Sequence, residues 1–223
     1  AYTRALELCH LVSQTPHLFT VLWGLHEIAL YRADYRESLD LATQCLQIAS
    51  GLDDVGLMVE AHHAMWAPHF FLGEYDYAFA HMEAGLALYD QRQHEPLSII
   101  YGVHDAGACA LTEFPLALWT MGYLDQARQR LDAAITHAQQ LTTPANIADA
   151  FGYAALSFHL LRNPVQAQHF SEPALRIFSD KAMLNAQYLA ATTLGWSLAI
   201  QGRHSEGIAL ARQGINLCRQ AHH

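Results

Sequence analysis

Fifteen histidines stand in a chain of 223 residues, and the densest group is His62-His63-x-x-Trp66-x-x-His69. On a helix His62, Trp66 and His69 share a face, and two imidazoles on one face begin a zinc site. The HExxH pattern is missing, no carboxylate stands between the two histidines, and Pro68 disturbs the helix there. The spacing therefore predicts packing, with His62 between helices and His63 facing a groove. Cys109 with His104 and Asp105 is a second combination. A thiolate nucleophile needs a positioned base or a helix N-terminus. Residues five apart on a helix do not face each other, so Cys109 reads as a small buried hydrophobe. No catalytic residue, metal or cofactor is expected.

The elements that position these side chains follow from an internal repeat. Five segments align, opening at Ala33, Gly73, Gly122, Arg162 and Gly202, with spacings of 40, 49, 40 and 40 residues. Their sixth residues are small: Ser38, Ala78, Ala127, Ala167 and Gly207. A second small position follows at Cys45, Gly85, Ala134, Ala174 and Gly214, and Ala5-Leu6 is one more copy. Apolar residues before each turn recur at helical spacing, as in Leu18, Val21, Leu22, Leu25, Ile28 and Ala29. Gly in the turn supplies a left-handed cap, and Asp34 with Glu37 resembles an N-cap with its capping box. Pro16 and Pro144 fall at expected starts of first helices, where a missing N–H costs little. The chain is expected to be all-α, a right-handed α-solenoid with one leading helix and five helix pairs. Such pairs bury their apolar faces only by stacking on neighbours.

The turn and the later small-Leu pair resemble the tetratricopeptide repeat (TPR) in a longer, 40-residue form. His26, Trp66 and Pro115 replace the small residue of the first helix in three copies. On this reading, residues 1–223 form one TPR-like domain. Its repeats run over about 1–14 (partial), 15–54, 55–94, 103–143, 144–182 and 183–223, with an insertion over about 90–105. A more specific run is Ala5-Leu6-Glu7-Leu8-Cys9, Leu22-Trp23-Gly24-Leu25, Glu60-Ala61-His62, Gly85 to Asp90, His94, Tyr101-Gly102, Asp105 and Leu116-Ala117-Leu118-Trp119. It resembles the C-terminal repeat region of large bacterial signalling proteins. These join a class III nucleotide cyclase or a Ser/Thr kinase to a P-loop ATPase module and a TPR tail. The run is similar to that of kinase/cyclase fusions of thiazole/oxazole-modified microcin (TOMM) systems. The opening Ala1-Tyr2-Thr3-Arg4, without Met and inside an amphipathic pattern, reads as a fragment of a longer protein, and the resemblance implies a regulatory or scaffolding tail whose chemistry lies elsewhere. No GxxxxGK[ST], HRD or DFG motif is present in this sequence.

In TPR-like stacks the first helices line a groove. Transferring that register gives Trp23 and Glu27, then Glu60, His63 and Phe70, then Cys109, Thr112 and Trp119, then Asp149 and His159, then Thr192 and Trp196. Aromatic and His side chains there would stack on or hydrogen-bond a peptide or small molecule. His94, Tyr101 and Asp105 in the insertion join the candidates, because long loops on a rigid frame often carry function. The binding set is thus Trp23, Glu27, His63, Phe70, His94, Tyr101, Asp105, Trp119, His159 and Trp196. Pro68, Pro115 and Pro173 fall inside predicted helices, and Pro68 and Pro115 predict a local widening of the groove.

Net charge is −9, from 12 Lys+Arg against 21 Asp+Glu, without basic runs. That excludes general nucleic-acid and anionic-membrane binding. Hydrophobic residues are 52% and charged residues 15%, well below the ~25% charged of a typical soluble domain, so disorder is excluded. No run of ~18 apolar residues predicts a membrane span. Cys9, Cys45, Cys109 and Cys218 form no CxxC pair, which suits a reducing, cytoplasmic compartment. The expected function is a non-catalytic module binding a protein or peptide, with other domains of its parent or a homodimer as partners. The alternative is a small-molecule sensor in the same parent.

Overall fold

The computed structural model describes residues 15–102, 104–180 and 184–221. Within these the helices are α1 (Thr15–Tyr31), α2 (Tyr35–Ser50), α3 (Val55–Phe71), α4 (Tyr75–Leu88), α5 (Gln91–His94), a 3-10 helix (Glu95–Ile99), α6 (Ala106–Thr120), α7 (Leu124–Ala138), α8 (Pro144–Leu160), α9 (Pro164–Asp180), α10 (Leu184–Ile200) and α11 (His204–Ala221). No strand occurs among the described residues, and no helix among them is long and apolar enough to cross a membrane. The leading helix expected over 1–14, with Ala5, lies outside the described residues, as do His222 and His223. The chain divides into two compact units, residues 1–110 and 111–223.

The five aligned turns are one backbone motif. Ala33, Gly73, Gly122, Arg162 and Gly202 all have positive φ, between 58° and 91°. In each, the next residue's N–H reaches back to a carbonyl five residues earlier: Asp34 to Ala29, Glu74 to His69, Tyr123 to Leu118, Asn163 to Phe158 and Arg203 to Leu198, every one at 2.9 Å. This is a Schellman motif closing each first helix. Three turns use Gly, for which positive φ is unstrained; Ala33 and Arg162 hold the same angle against their Cβ. The expected capping box at Asp34 does not form, because its side chain makes no cap hydrogen bond. The Schellman turn fixes Asp34 near φ −84° and ψ 60°, away from the extended geometry of a side-chain cap. Asp54 does cap α3, accepting from the Leu57 N–H at 3.1 Å.

Second helices are amphipathic: α2 buries Ser38, Ala42, Cys45 and Ala49, and α7 buries Ala127, Leu131, Ala134 and Ala138 at the same 4-3-4 spacing. First helices are covered more completely, as in α3, where every residue from Ala61 to His69 except His62 is buried. Both series of small positions are buried in every described repeat. Bulky residues at the first-helix position are matched across the hairpin. Ser38 Oγ bonds His26 Nδ1 at 2.8 Å. Trp66 lies over Gly85, where a Cβ would stand 3.2 Å from the indole.

In the first unit the insertion folds as α5, the 3-10 helix and a turn at Gly102. It returns to α1 through Tyr101, whose ring packs edge-on against Phe19 at 5.7 Å and Trp23 at 5.4 Å. In the second unit Leu131, Ala154, Ala155 and Phe170 form one core cluster, and Ala148, Ala174, Phe178 and Ala190 another. Pro68, Pro115 and Pro173 all lie inside helices.

Candidate functional site

Helices α1 and α3, with the segment leading into α6, gather a buried polar cluster in the first unit. Trp23 on α1 donates its indole N–H to the Glu60 carbonyl at 3.3 Å. One turn on, Glu27 faces His104 Nε2 at 3.7 Å and His26 Nε2 at 3.9 Å. On α3, His63 Nδ1 meets Glu60 Oε2 at 3.1 Å, and its ring stacks on Trp66 at 4.7 Å and meets His104 edge-on at 5.0 Å. His104 Nδ1 then lies 3.2 Å from Cys109 Sγ. The expectation that His104 and Cys109 turn away from each other is thus corrected. α6 begins at Ala106, so His104 stands before the helix and folds back over its first turn. Asp105 shapes that turn, accepting the Ala108 N–H at 2.7 Å and the Tyr89 hydroxyl at 2.8 Å.

The electrostatics follow from burial and partners. Burial pushes the Glu60 carboxyl up to about 8 and the His63 imidazole down to about 3. Burial also opposes charge on His104, but the Cys109 sulfur and the Glu27 carboxylate outweigh it and hold this imidazole well above its ordinary range. Burial would likewise raise Glu27, yet His104 holds it below. His63, His104 and Cys109 bring three ligand atoms within 4.8 Å of one another. Spacing alone did not reveal this triplet, since its members come from two elements and a link between them.

The remaining sequence candidates are placed as follows. Trp23, His63, His94, Tyr101 and Asp105 are buried, while Glu27, Phe70, Trp119, His159 and Trp196 are half-buried. His94 Nδ1 accepts the Asp90 N–H at 2.8 Å, and Tyr101 shares a 3.3 Å hydrogen bond with Thr20. Phe70 contacts Phe71 and Tyr75. His62 and His69 turn to His81 on α4: His62 Nδ1 lies 2.9 Å from His81 Nδ1, and His69 stacks on His81 at 5.9 Å. His63, expected to face a groove, is buried among Trp23, Trp66 and His104.

In the second unit α8 and α10 place His159 and Trp196 side by side, ring centroids 4.2 Å apart. His159 Nδ1 is buried without a hydrogen-bond partner among the described residues. Trp119 lines a small cleft with Pro115, Leu116, Ala127, Leu131, Ser157 and Leu161. Ser157 Oγ has no hydrogen-bond partner either.

Among solved structures, a Rap protein complexed with Competence and Sporulation Factor superposes with TM-score 0.70 and 12% identity, over 92% of this chain and 54% of that one. BtubC from P. vanneervenii gives 0.67 and 16%, over 99% and 89%. A putative kinesin light chain from Podosopora anserina with nearly identical TPR-like repeats gives 0.55 and 12%, over 90% and 94%. The fold is a TPR-like α-solenoid. No protein-family model matches the chain. An uncharacterized protein of Rhizobium meliloti (strain 1021) is 24% identical over 212 residues, which is 94% of this chain. The chain spans about a fifth of the length of that curated relative.

Proposed function

We propose that the chain is a non-catalytic repeat module that binds a peptide or protein segment on the first-helix face of its second unit. The observation that carries this reading is the row of half-buried Trp119, His159 and Trp196, one from each of three successive first helices. Trp with a polar neighbour is the side-chain type that concentrates binding energy at interfaces. His159 Nδ1 has no hydrogen-bond partner among the described residues. Within the first unit, half-buried Glu27 and Phe70 extend the proposal, with Trp23, His63, His94, Tyr101 and Asp105 beneath the surface. The Rap neighbour, solved with Competence and Sporulation Factor, has the same fold and supports this reading by likeness.

The cleft beside Trp119 is far smaller than the ~300–1,000 Å³ of small-molecule pockets, which favours a peptide over a sensed metabolite there. The resemblance to kinase/cyclase fusions extends the proposal to a signalling parent in the cytoplasm, with catalysis in other domains and a homodimer as one mode of assembly. The test is selection from a displayed peptide library, followed by titration of the enriched peptide into Trp196→Ala and His159→Ala. A loss of about 30-fold, typical of a ~2 kcal/mol interface anchor, with unchanged melting temperature supports the site. Equal affinity in both variants, or no enriched peptide, refutes it.

A further inference from the structure

The geometry points to a metal site in the first unit: His63, His104 and Cys109 together bind a thiophilic divalent ion, zinc foremost. The three ligand atoms already lie within 4.8 Å of one another, and the Cys109 Sγ to His104 Nδ1 distance is 3.2 Å. Zn–S and Zn–N bonds of ~2.3 and ~2.0 Å in a tetrahedron require ligand atoms about 3.3–3.6 Å apart. One edge of that tetrahedron is therefore almost in place, and the others close by a side-chain shift of about an ångström.

A second observation is independent of this proximity. Each histidine has one ring nitrogen beside a buried or nearly buried carboxylate: His63 Nδ1 at Glu60 Oε2, 3.1 Å, and His104 Nε2 at Glu27 Oε2, 3.7 Å. The other nitrogen of each ring is left for the ion. In metal sites a carboxylate fixes the tautomer and ring direction of a bound histidine; the His63–Glu60 pair stands at that hydrogen-bond distance, and the His104–Glu27 pair is in ion-pair range. Trp23 and Trp66 wall the cluster and keep the His63 ring in place.

Charge supports the same ion. Two carboxylates and a thiol crowd two imidazoles where water is largely excluded, and a doubly charged cation neutralises such a set. Thiolate with imidazole selects zinc, cobalt or copper over calcium and magnesium, which demand oxygen. Access exists at one side, since the His104 and Glu27 side chains keep 17% and 14% of their exposure. Three protein ligands leave a fourth position for water or for a donor from a partner.

The experiment is a titration of the metal-stripped full chain with Co²⁺ and then Zn²⁺. The expected result is one equivalent bound, with a thiolate-to-cobalt charge-transfer band that Zn²⁺ bleaches. Cys109→Ser abolishes the band, whereas joint replacement of Cys9, Cys45 and Cys218 by Ala retains it. Glu60→Gln keeps the band but weakens Zn²⁺ affinity about 10- to 100-fold; a merely structural Glu60 would lower the apo melting temperature without moving that affinity. Should Cys109→Ser not fold, alkylation of the wild-type chain decides. Zn²⁺ shields Cys109 if the site is real. Alkylation of Cys109 at the same rate with and without Zn²⁺ overturns the proposal, as does a cobalt band that persists in a folded Cys109→Ser.

Discussion

Gly207→Ala tests how closely the last two helices approach. Ala stands at the equivalent place in three other repeats, so sequence reasoning alone ranks this change as harmless. Helix propensity even favours it, by up to ~1 kcal/mol. The structure says the opposite. A Cβ on Gly207 would press on the Gly195 carbonyl oxygen and lie 2.6 Å from the Ala199 amide nitrogen and 2.9 Å from Ala199 Cβ. Two of these atoms are backbone, so no rotamer change relieves the overlap and α10 and α11 must separate. Overpacking of this kind costs ~1–3 kcal/mol, leaving a net loss of up to about 2 kcal/mol after the full propensity gain. At ~2–4 °C per kcal/mol for a chain of this length, the melting temperature falls by up to about 8 °C. Gly152→Ala is the internal control. Its Cβ would meet only Leu189 Cδ2, at 3.8 Å, so the propensity gain stands and the melting temperature rises by about 2–4 °C. Calorimetry of both variants reads the difference. A Gly207→Ala chain that melts as high as Gly152→Ala would refute the backbone-to-backbone contact.

Three further outcomes follow from the same structure. Arg162→Gly removes a Cβ held at φ 58°; relief of ~1–2 kcal/mol of left-handed strain exceeds the ~0.5–1 kcal/mol entropic cost of Gly, so thermal melting should rise by about 1–3 °C. Ser38→Ala fits sterically yet removes the 2.8 Å partner of buried His26, and chemical denaturation should show a loss of about 1–2 kcal/mol. Burial first, then His62 and His69, lowers His81 from 6.5 to about 4. The unfolded chain therefore takes this proton first as pH falls, so the stability tied to neutral His81 is complete above pH 6.5 and is lost progressively toward pH 4. Urea midpoints at pH 7 and 5 should draw closer together in His81→Gln, and an unchanged gap would refute this.

The repeat was legible because it is written in one-dimensional terms. The turn positions at 33, 73, 122, 162 and 202 share one backbone conformation, and the small residues mark where helices touch. Asp34 misled because its type matches a cap while the Schellman turn dictates its φ and ψ. The polar cluster was legible only in pieces. Trp23, Glu27 and His63 follow from the first-helix register, but the turn at Gly102 that carries His104 onto Cys109 obeys no helical spacing. His81 carried no signal in its own repeat, because its partners His62 and His69 lie across the hairpin on α3.

The most direct test of the binding account is the indole N–H spectrum of the four tryptophans, assigned by single Trp→Phe variants and recorded with a selected peptide. The account predicts that the Trp119 and Trp196 signals move on binding. Trp66, buried in α3, and Trp23, tied to the Glu60 carbonyl, should stay in place. Binding that leaves Trp119 and Trp196 unmoved, or shifts Trp66 as far, would contradict it.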